Sequence, residues 1–130
     1  MKINSDLIID GINKTLKDIP FEDRYSINEI KTNKFWLDGK PIYRKVLDTG
    51  SITANQEKGI STGLAKGTID NIIRIDGFIK VGFGTIPTGF TNSGFQTCVY
   101  YNSTSNIASI ISQTNANSGY IILEYTKTTD

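Results

Sequence analysis

The alternation of apolar and polar residues after about residue 33 predicts short β-strands separated by turns. The clearest case is residues 68–75, where Ile69, Asn71, Ile73 and Ile75 alternate with Asp70, Ile72 and Arg74, which makes one face of the strand largely apolar. Three further strands are predicted at residues 95–101, 106–112 and 120–126, joined by connectors rich in Asn, Ser and Gly. This spacing is typical of an antiparallel β-sandwich or barrel. The fold class is therefore mainly β, with a sandwich or jelly-roll-like domain.

Residues 34–50 are predicted to form a β-hairpin around Asp38-Gly39. Asp-Gly suits a turn with two positive φ angles, because Gly lacks a Cβ atom and Asp tolerates the left-handed region. Pro41 follows the turn and cannot donate a backbone hydrogen bond, which favours an edge strand. Trp36 is expected to anchor the core.

The pattern leaves the structure of two stretches open and predicts a loop for a third. Asp76-Gly77 fits either a second tight hairpin or a bulge in one long strand. Residues 50–67 are predicted to be a loop, with room for one short strand, and residues 82–94 a long loop that carries aromatic residues.

The N-terminal residues 1–31 are charged and carry the chain's single helical pattern. Its apolar stripe consists of Leu7, Ile8, Ile12, Leu16 and Ile19, and Pro20 ends it. A helix this short is marginal in water, so the stripe needs a partner. We therefore divide the chain into a helical or extended arm (1–31) and a β-sandwich domain (32–130).

Composition argues against several classes of function. The net charge is +1, from 14 basic and 13 acidic residues, which gives no excess of positive charge for a nucleic-acid backbone. No apolar run is long enough for a signal peptide or a membrane span, so we expect a protein made in a cytoplasm with no membrane partner. The single cysteine, Cys98, cannot form a disulfide within the chain and is expected to be a buried apolar residue.

Candidate catalytic groups are scarce. Histidine is absent, which removes the commonest general base and zinc ligand, and no Gly-x-Ser-x-Gly nucleophile elbow occurs. Asp38, Asp48 and Asp76 are interpreted as turn residues. We predict no enzymatic activity, no cofactor and no metal site.

Aromatic side chains are the remaining candidates for a function. These are Phe83, Phe90, Phe95, Tyr100 and Tyr101. They could stack on sugar rings of a glycan, or they could fill the core or a subunit contact. Loops held by a rigid scaffold are a common place for recognition residues.

Two segments carry a resemblance to a known family. Residues 36–46 read Trp-Leu-Asp-Gly-Lys-Pro-Ile-Tyr-Arg-Lys-Val, and the chain ends Glu-Tyr-Thr-Lys-Thr-Thr-Asp at residues 124–130. Both resemble stretches that recur in phage and prophage tail-fibre, baseplate and related virion proteins, including head fibres. Together they bracket most of the predicted β domain.

The resemblance implies a compact β module of a virion, commonly a homotrimer, with no catalytic residues among the motif positions. The arm and its stripe (Leu7, Ile8, Ile12, Leu16, Ile19) would then attach the module to other virion proteins or support trimerisation. A module that binds a host cell-wall or capsular glycan is an alternative, and a polysaccharide depolymerase is a remote one.

Overall fold

The computed structural model describes residues 24–90 and 94–130, and in these ranges the fold is mainly β with no helix. The strands are β1 (Ile30–Phe35), β2 (Pro41–Asp48), β3 (Lys58–Ser61), β4 (Ile69–Val81), β5 (Gly84–Pro87), β6 (Thr97–Asn102), β7 (Ile107–Ser112) and β8 (Ser118–Lys127). The predicted mainly β class is thereby confirmed. The apolar stripe from Leu7 to Ile19 lies outside the described residues.

The strands form two antiparallel sheets. One has the order β1-β2-β8-β4-β5, and the other has the order β3-β7-β6. Strand β2 pairs with β8 and β3 pairs with β7, so the first and last parts of the domain fold back on each other in nested pairs. Nested pairing of this kind, with the chain passing between two sheets, is jelly-roll-like.

The hydrophobic core lies between the two sheets. Strand β8 contributes Ile121, Leu123 and Tyr125 at alternate positions, all with no exposed surface. Ala108 and Ile110 of β7 meet them from the opposite sheet and are equally buried. Side chains from both inner faces therefore interlock, which is how a sandwich excludes water from its interior.

The hairpin predicted around Asp38-Gly39 is confirmed as β1–β2, but its turn differs. Gly39 donates its N–H to the Trp36 carbonyl at 2.9 Å and has φ +85°, while Asp38 is not in the left-handed region. This is the three-residue turn in which glycine alone takes positive φ. Asp38 instead accepts the Lys40 N–H at 3.0 Å.

Two further expectations about this hairpin are wrong. Trp36 is not a core anchor, because the turn extends beyond the sheet and leaves the side chain 36% exposed. Strand β2 is not an edge strand, since it lies between β1 and β8. Pro41 is tolerated because it is the first residue of β2, and pairing with β8 begins only at Tyr43.

Strand β4 settles the open question at Asp76-Gly77, which is neither a hairpin nor a bulge. The strand runs unbroken for 13 residues, and these two residues pair regularly with Ile122 and Ile121 of β8. Gly77 is required because a Cβ atom there would lie 2.4 Å from the Tyr120 carbonyl oxygen.

The register of β4 shifts earlier, between Ile69 and Arg74. These irregularities change the face assignment, so Ile69, Ile72 and Ile75 pack against the core rather than the predicted Ile69, Asn71, Ile73 and Ile75. Asp76 lies within β4 and is not a turn residue. Asp38 has the predicted turn role, and Asp48, the last residue of β2, accepts the Gly50 N–H at 2.9 Å where the chain turns.

The two predicted loops each contain a strand. The short strand foreseen in residues 50–67 is β3, while β5 within residues 82–94 was not foreseen. Cys98 is exposed, contrary to the expected burial, because it points outward from β6, an edge strand of the smaller sheet.

Candidate functional site

Residues 36–46 and 124–130 contribute to neighbouring strands of the larger sheet, β2 and β8. Tyr43 of β2 lies opposite Tyr125 of β8, and their rings stack with centroids 6.1 Å apart. Next to them, Arg44 lies opposite Glu124 and forms an ion pair at 2.7 Å, with only 4% of the arginine side chain exposed. Both segments are therefore scaffold.

Glu124 sits at the centre of a charge cluster on the outer face of this sheet. Burial disfavours its ionised form, but hydrogen bonds and charge from Arg44 and Arg74 outweigh burial and lower the pKa of Glu124. Arg74 lies 3.4 Å from Glu124 and 3.5 Å from Asp76. Each charge in this cluster has an opposite charge beside it.

A second polar cluster ties the chain end to residue 29. The Glu29 carboxylate accepts hydrogen bonds from the Tyr125 hydroxyl and the Lys127 ammonium. Burial, together with the Glu29 charge, raises the pKa of Tyr125. Burial and the nearby Asp130 raise the pKa of Tyr43 to about 12. Both phenols therefore stay neutral at physiological pH and serve packing.

An open cleft of about 420 Å³ lies where the start of β6 meets the end of β7, and residues 55, 89 and 90 complete its border. Its polar side chains are Asn55, Gln96, Thr97, Ser112 and Gln113. Gly89, Phe90, Cys98 and Ile111 complete the lining. We call this the amide cleft, because three of its side chains are carboxamides.

Backbone hydrogen bonds hold the walls of the amide cleft in place. Gln113 donates its N–H to the Gln96 carbonyl at 3.0 Å, and the Gln113 side-chain oxygen accepts the Gln96 N–H at 3.1 Å. Asn55, at φ +62°, donates its N–H to the Ser112 carbonyl at 2.7 Å. Asparagine tolerates this left-handed conformation better than most residues.

A smaller cleft of about 220 Å³ adjoins the amide cleft through Phe90. It is lined by Phe83, Phe90 and Phe95 together with Thr85, Ile86 and Pro87. Phe83 packs edge-to-face on Phe95 with ring centroids 5.4 Å apart, and 74% of Phe83 is exposed. The three phenylalanines singled out in the sequence therefore meet in one place.

The two tyrosines of the predicted set lie elsewhere. They are adjacent on β6 and so point to opposite faces of the smaller sheet. Tyr100 is on the outer face and donates its hydroxyl hydrogen to Glu57 at 2.8 Å, and this bond raises its pKa. Tyr101 is partly buried and donates to the Asn106 side chain at 2.8 Å.

Sequence reasoning missed the carboxamides of the amide cleft. Asn55 was part of a weakly patterned loop, and Gln96 and Gln113 carried no motif. No local signal links residues so distant in the chain, so they could only be found from the packing of the sheets.

A third surface lies on the outer face of the larger sheet, and we call it the outer patch. It is a wholly apolar hollow of about 390 Å³ lined by Tyr25, Val46, Phe78, Tyr120 and Ile122. Phe78 and Tyr120 are cross-strand partners with ring centroids 5.5 Å apart. The charge cluster of Arg44, Glu124, Arg74 and Asp76 borders it along the same strands.

The described residues contain no group of three or more His, Cys, Asp or Glu side chains able to hold a metal ion. In the same part of the chain, no helix has the length and apolar character needed to span a membrane.

No family model matches the chain, and neither a curated protein nor a solved structure matches it at a significant level.

Proposed function

We propose that this chain is a structural module of a phage virion, part of a tail fibre, baseplate or head fibre, and that it acts as a homotrimer by presenting a rigid β-sandwich. The observation that carries the proposal is that the two virion-like segments, residues 36–46 and 124–130, contribute to adjacent strands and meet at the pairs Tyr43–Tyr125 and Arg44–Glu124. Because β2 and β8 are hydrogen-bonded neighbours in one sheet, the resemblance concerns the scaffold of the fold.

The physical character of the module fits presentation of shape. The sandwich is closed by long-range strand pairing, and the ion pair between Arg44 and Glu124 links its two central strands. No buried side-chain nitrogen or oxygen atom in residues 24–90 and 94–130 lacks a hydrogen-bond partner. When the buried polar atoms all have hydrogen-bond partners, one well-defined structure is favoured over an ensemble.

We assign the subunit contact to the outer patch, with a second copy of the chain as the occupant. Its centre is apolar, as in the cores of homo-oligomer interfaces. The neighbouring charges already pair within the chain, so burying this face brings no uncompensated charge out of water.

Sedimentation equilibrium of the full chain tests the assembly. We expect a trimer, and we expect Ile122→Lys on the outer patch to give a folded monomer. Phe83→Lys, in the smaller cleft and not in the lining of the outer patch, should leave the trimer intact. A wild-type chain that stays monomeric at high micromolar concentration contradicts the assignment.

The virion role itself is tested by location. Antibody raised against the chain should label intact particles of a phage that encodes it, at the fibre, baseplate or head surface. Absence of the chain from purified particles, measured by mass spectrometry, overturns the proposal.

A glycan-binding module is the second candidate, and the amide cleft beside the phenylalanine cluster favours it. Amide groups and aromatic rings are the groups that fix neutral polar ligands in protein sites. A polysaccharide depolymerase remains a remote third candidate, tested by product release from purified host polysaccharide.

A further inference from the structure

We infer that the amide cleft is a binding site for an uncharged saccharide, with Phe90 as its stacking surface. Its hydrogen-bonding groups are the carboxamides of Gln96 and Asn55 and the side-chain NH₂ of Gln113, whose oxygen already accepts the Gln96 N–H. This inference rests on the glycan-recognition role named above and specifies its site and ligand class.

The first support is the absence of charge. Charged residues make up 21% of the chain, yet none of the described residues that line the cleft is Asp, Glu, Lys or Arg. An anionic or cationic ligand would lose water there without gaining a counter-charge. The site therefore selects for a neutral ligand.

The second support is the type of polar group. A carboxamide carries two N–H donors and one carbonyl acceptor, so it can bond two neighbouring hydroxyl groups at once. The Gln96 and Asn55 side chains are exposed and donate or accept no hydrogen bond elsewhere in the described part of the chain. These groups are available to a polyhydroxylated ligand.

The third support is the combination of an aromatic ring with a fixed wall. Phe90 is 40% exposed at the cleft border, which leaves room for the apolar C–H face of a sugar ring. The wall behind it is held by the Gly89 N–H, which donates to the Thr97 carbonyl at 2.8 Å. A cleft of about 420 Å³ lies within the usual range of small-molecule sites, roughly 300–1,000 Å³.

Cys98 supplies a built-in reporter, because the single cysteine of the chain is exposed and lines this cleft. The rate of its reaction with a thiol reagent should fall when a ligand occupies the cleft. The test uses the full chain with a neutral N-acetylglucosamine trisaccharide and a neutral glucose trisaccharide as probes. A galacturonic acid trisaccharide is the charged comparison.

We expect at least one neutral probe at millimolar concentration to slow Cys98 modification several-fold and the charged one to leave the rate unchanged. Gln96→Ala and Phe90→Leu should each weaken this protection about tenfold. The matched control is Tyr100→Phe, also exposed on β6 but outside the cleft, which should bind like the wild type. Thermal unfolding of each variant checks that the fold is kept.

Two results overturn the inference. One is no protection by any neutral probe at millimolar concentration, and the other is equal protection by the charged probe or in both cleft variants. Either result leaves the virion proposal intact, because that proposal is judged by particle location and mass.

Discussion

The centre of the larger sheet differs from the region of the amide cleft and the adjoining smaller cleft, which we call the cleft end, in how the polar side chains are used. At the centre, Arg44 and Glu124 form an ion pair with each other. Tyr125 packs inward and donates its hydroxyl hydrogen to Glu29. At the cleft end, Gln96, Asn55 and Phe90 are exposed and keep hydrogen-bonding or stacking capacity. Groups with internal partners stabilise a fold, and groups without them are available to a ligand.

In the virion module that we propose, the scaffold and the recognition site occupy different parts of the molecule. Residues 36–46 and 124–130 belong to the ion-paired centre, and the residues of the amide cleft carry no recognisable motif. Loops on a rigid scaffold can change without cost to the fold, so a recognition site need not share the scaffold's motifs.

The largest expected effect comes from breaking the central ion pair. Arg44→Met should lower the free energy of unfolding by about 3 kcal/mol, because it leaves the Glu124 carboxylate largely out of water with Arg74 alone beside it. Urea unfolding measures this loss. Lys40→Met, which breaks the exposed pair with Asp70, is the control and should cost much less. Equal losses in the two variants would mean that burial does not distinguish these pairs.

Close packing of β4 on β8 predicts the next effect. Gly77→Ala should destabilise the protein by about 1–3 kcal/mol, since the added Cβ atom must push the Tyr120 carbonyl away and disturb the strand pairing. Gly84→Ala in β5 is the matched control, because no atom lies within 4 Å of its Cβ position. We expect it to stay within about 0.5 kcal/mol of the wild type. No loss of stability in Gly77→Ala would show that β4 can move away from β8 at little cost.

The pH dependence of stability sharpens the contrast further. The pKa of Glu124 is lowered in the folded protein from its ordinary value of 4.5, so its stabilising effect is complete above that value. The effect is lost as pH falls below 4.5 through the folded-state pKa. The free energy of unfolding, measured from pH 7 to pH 3, should therefore fall less with decreasing pH in Glu124→Gln than in the wild type. An equal fall in the two proteins would exclude Glu124 as a source of the acid sensitivity.

The smallest effect is expected at the cleft end. Phe83→Ala removes a side chain that is 74% exposed, so the free energy of unfolding should change by less than about 1 kcal/mol, the scale of its edge-to-face contact with Phe95. Thermal unfolding checks this. A larger loss would place Phe83 in the scaffold and remove the distinction between the two regions.

Sequence reasoning predicted the elements better than their arrangement. The Asp38-Gly39 hairpin and the last three strands were correct, because turn residues and period-two alternation are local signals. For the inward face of β4, Ile69 and Ile75 were correct, while Asn71 and Ile73 were wrong because register shifts between Ile69 and Arg74 change which side chains face the core. Cys98 was wrongly expected to be buried. An apolar run around a residue does not show which side of a sheet that residue faces.

The candidate site was predicted in part. The phenylalanines stood out as large apolar side chains in a polar loop, and the structure brings Phe83, Phe90 and Phe95 together. Tyr100 and Tyr101 do not join the three phenylalanines, because neither tyrosine lines either cleft.

The sequence by itself determined that this chain is built of short strands and turns, because turn residues and period-two alternation are local signals. Only the tertiary structure decided that Tyr43 and Arg44 lie opposite Tyr125 and Glu124 on adjacent strands of one sheet. It alone also brought three carboxamides from Asn55, Gln96 and Gln113 to one cleft. Such neighbours are set by strand order and register, which depend on contacts between residues far apart in the chain.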